Sequence, residues 1–158
     1  MGELDLAFDA RRAGVLLHVT SLPAASTGSS GDLGDEAYRF VDFLADAGCS
    51  VWQVLPLVPT HEESHSPYDA LSAMAGNPDL ISRDHWPALD EQQRAAFAAW
   101  CAEQGSWLEP YVEFTALRGL HGQTPWLTWA PALRDRDPQA VSEALRPLAD
   151  RLEHLRFE

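Results

Sequence analysis

Two short apolar runs bracket one amphipathic stretch near the start of the chain. Gly14-Val15-Leu16-Leu17-His18 and Val51-Trp52-Gln53-Val54-Leu55-Pro56 are apolar almost throughout, as suits parallel strands covered on both faces. Between them, Ala37, Phe40, Val41 and Leu44 recur at i, i+3, i+4 and i+7. That spacing predicts a helix over 35–47, with Gly48 as its left-handed stop. Residues 19–34 hold Pro23, Gly28, Gly31 and Gly34 among serines and threonines, which is loop chemistry. A second long loop spans 58–85. Strand, loop, helix, strand, loop is the repeating unit of an α/β barrel or a doubly wound sheet.

The pattern then turns helical. Asp90 and Gln93 form a capping box that starts a helix reaching about residue 102. Ser106 and Glu109 read as a second box ahead of Leu108, Tyr111, Val112, Thr115 and Ala116. Asp137-Pro138 pairs a cap with a proline at the first helical position. Val141, Leu145, Leu148, Leu152 and Leu155 follow at four-three spacing, and Pro147 interrupts or kinks that helix.

Length narrows the fold. The chain has 158 residues, and a complete (β/α)8 barrel needs about 250. The net charge of −13, with arginine supplying all 11 basic residues, argues against nucleic acid or an anionic membrane as partner. No apolar run approaches the roughly 20 residues of a membrane span. The acidic start Met1-Gly2-Glu3-Leu4-Asp5 is unlike a signal peptide, so a cytoplasmic location is expected. Cys49 and Cys101 lack the paired spacing of zinc or redox motifs and read as buried free thiols.

Ser66-Pro67-Tyr68 is the best candidate site. Proline fixes its own φ and restricts Ser66, so hydroxyl and ring are pre-positioned just beyond a strand's C-terminal end. In a barrel that edge carries the active site. A flat ring with a hydroxyl suits a neutral sugar; the plainer reading is a tyrosine packing its loop against the barrel. His18 ends the first strand at the same edge, where a lone histidine is more often structural. His61, His65 and His85 accompany Glu62 and Glu63, but no pair sits at i, i+4 on a helix, and no metal site is expected. Gly28, Gly31 and Gly34 lack the lysine of a phosphate loop, and Asp32 is expected to cap the following helix. Trp52 and Trp100 read as core. Trp126 and Trp129 line a groove or join the core.

Several words of this sequence, in order, carry a resemblance. They are Gly14 to His18 with Thr20-Ser21-Leu22-Pro23, Gly31-Asp32-Leu33-Gly34, Glu36 to Leu44, Trp52 to Leu57, Ser66-Pro67-Tyr68 and Gly76-Asn77-Pro78. A weaker likeness continues through Trp107-Leu108, Trp126 and Trp129. The stretch resembles the N-terminal part of the amylomaltases, the 4-α-glucanotransferases also called disproportionating enzymes. The resemblance implies an incomplete (β/α)8 TIM-barrel fragment, its first two strands and crossover helix, followed by a mainly helical region. The expected division is an N-terminal arm over 1–12, a first βαβ unit with its substrate loop over 13–85, and a helical region over 86–158 that stops before the catalytic part.

The implied reaction moves α-1,4-glucan segments between maltodextrins through a retaining glycosyl-enzyme, without a cofactor. Such chemistry needs two carboxylates about 5–5.5 Å apart. In the resembling family they lie on later strands, and Asp32, Asp35, Asp42, Glu62, Glu63 and Asp69 match neither. The expectation is therefore no catalytic residue in this chain and no activity alone, with Ser66, Tyr68 and His18 as the substrate-binding set. A glucan- or partner-binding remnant without turnover, or a truncated product, is the rival. Unpaired strand edges should favour self-association. Within the matched words Val19 replaces a usual proline, Cys49 a usual glutamine, and Asp69 stands where glutamine usually follows Ser-Pro-Tyr. Residues 24–30 lack the proline-tyrosine-glycine texture of the family.

Overall fold

The apolar runs form two parallel strands, β1 (Gly14–Leu16) and β2 (Val51–Gln53), in a two-stranded sheet. Gly14 lies opposite Val51, Val15 opposite Trp52 and Leu16 opposite Gln53. A Cβ at Gly14 would sit 2.6 Å from the Val51 carbonyl oxygen, so the strands approach this closely only because that position is glycine. Leu17 N–H still donates to the Gln53 carbonyl at 3.0 Å. Its own carbonyl is taken by the Trp52 indole N–H at 2.8 Å. With that acceptor engaged and Pro56 lacking an N–H, the strands are shorter than the predicted runs.

This computed structural model describes residues 11–24, 30–61, 63–82 and 89–158. Most of the N-terminal arm, Gly28, Glu62 and His85 lie outside the described residues. The chain divides into two units, Met1–Pro87 and Ala88–Glu158.

In the first unit, helix α1 (Asp35–Asp46) makes the crossover from β1 to β2 and stops at Gly48, whose φ is +72°. Ala37 and Leu44 are buried and Phe40 half-buried. Phe40 meets the Trp52 ring edge-on at 5.0 Å, a contact worth about 0.5–1.5 kcal/mol beyond its buried area. Val15 and Trp52 share this face and are half-buried, while Gly14, Leu16, Val51 and Gln53 are exposed, Leu16 by 58%. The expectation of strands covered on both faces is thus corrected: among the described residues one face is covered. Asp32 also departs from its expected role. Its carboxylate accepts from Gly34 N–H at 2.9 Å, one residue short of α1, and Gly34 caps the helix without a side-chain bond.

The second unit is helical. Helix α2 (Glu91–Leu120) opens with the expected box: Gln93 N–H donates to Asp90 Oδ1 at 2.8 Å, and Asp90 N–H to Gln93 Oε1 at 2.9 Å. The second box does not form. The helix runs unbroken past Ser106 and Glu109 and even through Pro110. The reason is tertiary: Leu108, Val112, Ala116 and Leu117 make a continuous buried stripe on α2, clustered with Val141, Leu145 and Leu155 of later helices. Packing of that stripe outweighs local capping chemistry.

A four-residue helix, α3 (Pro131–Arg134), leads into α4 (Pro138–Leu145), which starts with Ala140 N–H donating to Asp137 Oδ1 at 2.9 Å. Pro147 falls in a 3-10 turn between α4 and α5 (Ala149–Phe157), the interruption its ring requires. Trp129 is buried, near-parallel to His121 at 4.9 Å and Phe114 at 5.8 Å. Trp126 is exposed by 47%, so the two do not line one groove together. Trp100 is 43% exposed and not core; it lies N-terminal to the buried stripe. Both cysteines are free but half-buried rather than buried, and burial still pushes the Cys101 thiol up.

Glu109 of α2 receives both Arg156 Nε and Nη2 from α5, at 2.8 and 2.7 Å. The guanidinium holds the Glu109 carboxyl below its usual range, chiefly through that hydrogen bonding. A depressed folded pKa adds stability above the unfolded value, near 4.3, and loses it as pH falls through the folded value. Glu109 is 42% exposed, so solvent limits the pair to about 0.5–1 kcal/mol. Glu109→Gln should cost about that much at pH 7. Chemical denaturation should also find the mutant less sensitive to acidification below about pH 4.3 than the parent chain. An unchanged pH profile would assign the acid sensitivity elsewhere.

Candidate functional site

Because β1 and β2 are parallel, the segments that follow them leave from the same edge of the sheet. After β1 the chain passes His18 into a 3-10 turn at Val19–Ser21, with Val19 fully buried. After β2 it runs through a long loop whose return is stitched to the first. Leu33 N–H donates to the Leu80 carbonyl at 2.8 Å, while within the second loop Asn77 N–H donates to the Leu57 carbonyl at 2.9 Å. Asn77 Oδ1 also caps the turn Pro78–Leu80 by accepting from Asp79 N–H at 3.0 Å. A Cβ on Gly34 would come within 2.8 Å of the buried Ser82 hydroxyl, so glycine brings the two loops into contact.

The tip of the second loop closes on itself. Thr60 and Ala70 form an antiparallel bridge, and Leu71 N–H donates to the Pro59 carbonyl at 2.8 Å. Inside this closure the side chains of short polar residues bind the backbone. Ser66 N–H donates to Ser64 Oγ at 3.3 Å, Tyr68 N–H to Ser66 Oγ at 3.3 Å, and Asp69 N–H to the Ser66 carbonyl at 3.0 Å. Ser64 Oγ donates to Asp69 Oδ2 at 2.9 Å. The other carboxylate oxygen faces His61 Nε2 at 3.7 Å. His65 turns the chain with a φ of +47°, a left-handed conformation that histidine tolerates better than most side chains.

Tyr68 is 76% exposed, and among the described residues its ring contacts no other ring. Ser66 is half-buried beneath the turn. The structure therefore joins Ser66 and Tyr68 directly. His18 stands at the same sheet edge, half-buried, with no hydrogen bond to either among the described residues. Its Nδ1 is buried without a hydrogen-bond partner, an unusual condition for a buried polar atom. Among the described residues no three His, Cys, Asp or Glu side chains gather as a metal-binding group.

From the sequence alone Ser64 has no expected role, His61 is weighed only as a metal ligand, and Asp69 only as an acid outside the catalytic pair and as a departure after Ser-Pro-Tyr. The signal for Ser64 was present: serines two apart before a proline can each accept the backbone N–H two residues on.

A family model described as 4-alpha-glucanotransferase matches residues 17–91 and 83–158. The chain belongs to this family. The 4-alpha-glucanotransferase of Thermus thermophilus is 39% identical over 179 residues, covering 89% of this chain and 35% of the relative. The chloroplastic/amyloplastic 4-alpha-glucanotransferase of Arabidopsis thaliana is 58% identical over 74 residues, covering 47% of this chain and 12% of that one. Among solved structures, an amylomaltase from Streptococcus agalactiae in complex with acarbose superposes with a TM-score of 0.76 at 26% identity. That match covers 92% of this chain and 38% of the amylomaltase. The chain thus matches little more than a third of the length of the Thermus thermophilus relative and of the amylomaltase.

The stitching predicts a test of the site's frame. Gly34→Ala drives a methyl into Ser82 and the Asp32 carboxylate and should destabilise the first unit by about 1–3 kcal/mol. Urea unfolding followed through resolved amide NMR signals of residues 30–61 measures this; an unchanged midpoint would mean that the loops are not held by this contact.

Proposed function

We propose that this chain is the N-terminal, glucan-holding part of a 4-α-glucanotransferase. The observation that carries the reading is the exposed Tyr68 ring on a self-closed turn at the C-terminal sheet edge, in a chain of this family. Its two strands and crossover helix are the first βαβ unit of a (β/α)8 barrel, over 13–85, and the helical region over 86–158 follows. The uncovered strand face with Leu16 and Val51 supports this, because later barrel strands and their inward side chains would cover it.

In this reading the ring of Tyr68 stacks on a pyranose face of an α-1,4-glucan or maltodextrin, and its hydroxyl and Ser66 meet sugar hydroxyls. His18, at the same sheet edge, completes the binding set. The parent reaction cleaves a glycosidic bond, forms a glycosyl-enzyme ester and passes the glucan to a 4-hydroxyl of another sugar. No acid of this chain serves as nucleophile or acid/base. Asp69, the acid nearest the candidate site in sequence, is engaged with Ser64. No cofactor takes part. A location in the cytoplasm belongs to the same reading; among the described residues no helix is long and apolar enough to cross a membrane.

Three outcomes follow for the 158-residue chain. Incubation with maltotriose should release no glucose and build no longer maltodextrins, as read by chromatography; clear disproportionation would show that acids within it are catalytic. Tyr68→Ala should weaken maltoheptaose binding by roughly tenfold or more, the loss of one buried aromatic contact, in isothermal titration; wild-type affinity in that mutant would remove the site from this loop. Sedimentation should show concentration-dependent association through the open strand edges, and a clean monomer with no dye-accessible apolar surface would contradict the partial-barrel reading.

A further inference from the structure

Asp69 stands at the hub of the candidate loop. Asp69 Oδ2 accepts a hydrogen bond from the Ser64 hydroxyl at 2.9 Å. An ionised carboxylate is acceptor-only, so the direction of that bond is fixed. The Ser64 oxygen is left to accept from Ser66 N–H at 3.3 Å. The Ser66 hydroxyl oxygen in turn accepts from Tyr68 N–H at 3.3 Å. The Asp69 backbone closes the circuit by donating to the Ser66 carbonyl at 3.0 Å. On its far side Oδ1 faces His61 at 3.7 Å, and the His61 carbonyl accepts from His65 N–H at 2.9 Å. One carboxylate thereby reaches both arms of the turn that presents Tyr68.

We propose that Asp69 is a positioning residue for glucan binding: acting through Ser64 and Ser66, it holds the Tyr68 ring in the orientation that meets the sugar. The inference rests on the Tyr68 reading above and deepens it. The carboxylate touches no ring itself. Its role is to remove freedom from an exposed turn before the glucan arrives, so that ordering is not charged against binding. A charge-assisted O–H···O bond is well suited to this, being stronger than its neutral counterpart.

The test uses the full 158-residue chain in four forms: wild type, Tyr68→Ala, Asp69→Ala and Asp69→Asn. Asparagine retains an acceptor oxygen for Ser64; alanine does not. Two readouts are taken: maltoheptaose affinity by titration, and amide hydrogen exchange at Ser66 and Tyr68 without sugar. Asp69→Ala should exchange both amides faster and bind roughly three- to tenfold more weakly, the loss expected for a hydrogen-bonded anchor. Asp69→Asn, which keeps a neutral acceptor, should fall between wild type and Asp69→Ala in both. The global melting temperature should not move, since the loop is exposed. Asp69→Ala with wild-type exchange and affinity would overturn the proposal. So would Asp69→Asn with weak binding but wild-type exchange, which would make the charge a direct sugar contact. If Tyr68→Ala binds maltoheptaose as well as wild type, the parent reading fails; the exchange data still report whether Asp69 orders the turn.

Discussion

Trp52 ties the first unit together. Its indole N–H holds the Leu17 carbonyl at 2.8 Å, and its ring meets Phe40 of α1 edge-on at 5.0 Å. A single side chain on β2 thus fixes the end of β1 and the seat of the crossover helix. Two three-residue strands would be marginal alone. With the indole in place the sheet edge is defined, and with it the point from which both loops depart. Glycine at 14 and at 34 is the complementary condition, since a side chain at either would force apart segments that this arrangement brings together.

From that edge the geometry of the site follows without a rigid scaffold beneath every residue. The second loop is closed by the Thr60–Ala70 bridge and tied back through Leu33 and Leu80. Within it, short polar side chains replace the backbone partners that a strand or helix would supply. That is why a segment with so little regular structure still presents a defined Ser66–Tyr68 turn. An exposed aromatic ring on an ordered turn suits a neutral ligand, which offers flat faces and hydroxyls but no charge.

Much of this was legible because the signals are local. The stop at Gly48, the Asp90–Gln93 box, the Asp137-Pro138 start and the break at Pro147 each depend on a few neighbouring residues, and each formed; of the helix face, Ala37, Phe40 and Leu44 turn inward while Val41 is 49% exposed. The failures share a different cause. Ser106 and Glu109 have the chemistry of a helix start, but the buried stripe from Leu108 to Leu117 carries α2 straight through them. Asp32 has the chemistry of a cap, but its carboxylate is taken by the Gly34 N–H, and Gly34 itself occupies the cap position of α1. Trp100 has the chemistry of a core residue and lies outside the stripe. Tertiary contacts decide such cases, and a single sequence does not print them. The words around Ser66-Pro67-Tyr68 pointed to the loop; the Ser64–Asp69 hydrogen bond inside it needed coordinates.

The central claim is that the C-terminal edge of the β1–β2 pair, with Tyr68 at its tip, is the glucan-holding surface of this chain. Chemical-shift mapping of the isotopically labelled chain during maltoheptaose titration addresses it most directly. The account predicts that the largest shifts cluster at Ser64 to Asp69 and at His18, with the Trp126 indole unmoved. Shifts centred on Trp126 or elsewhere in residues 88–158, with the Ser66–Tyr68 turn silent, would contradict it.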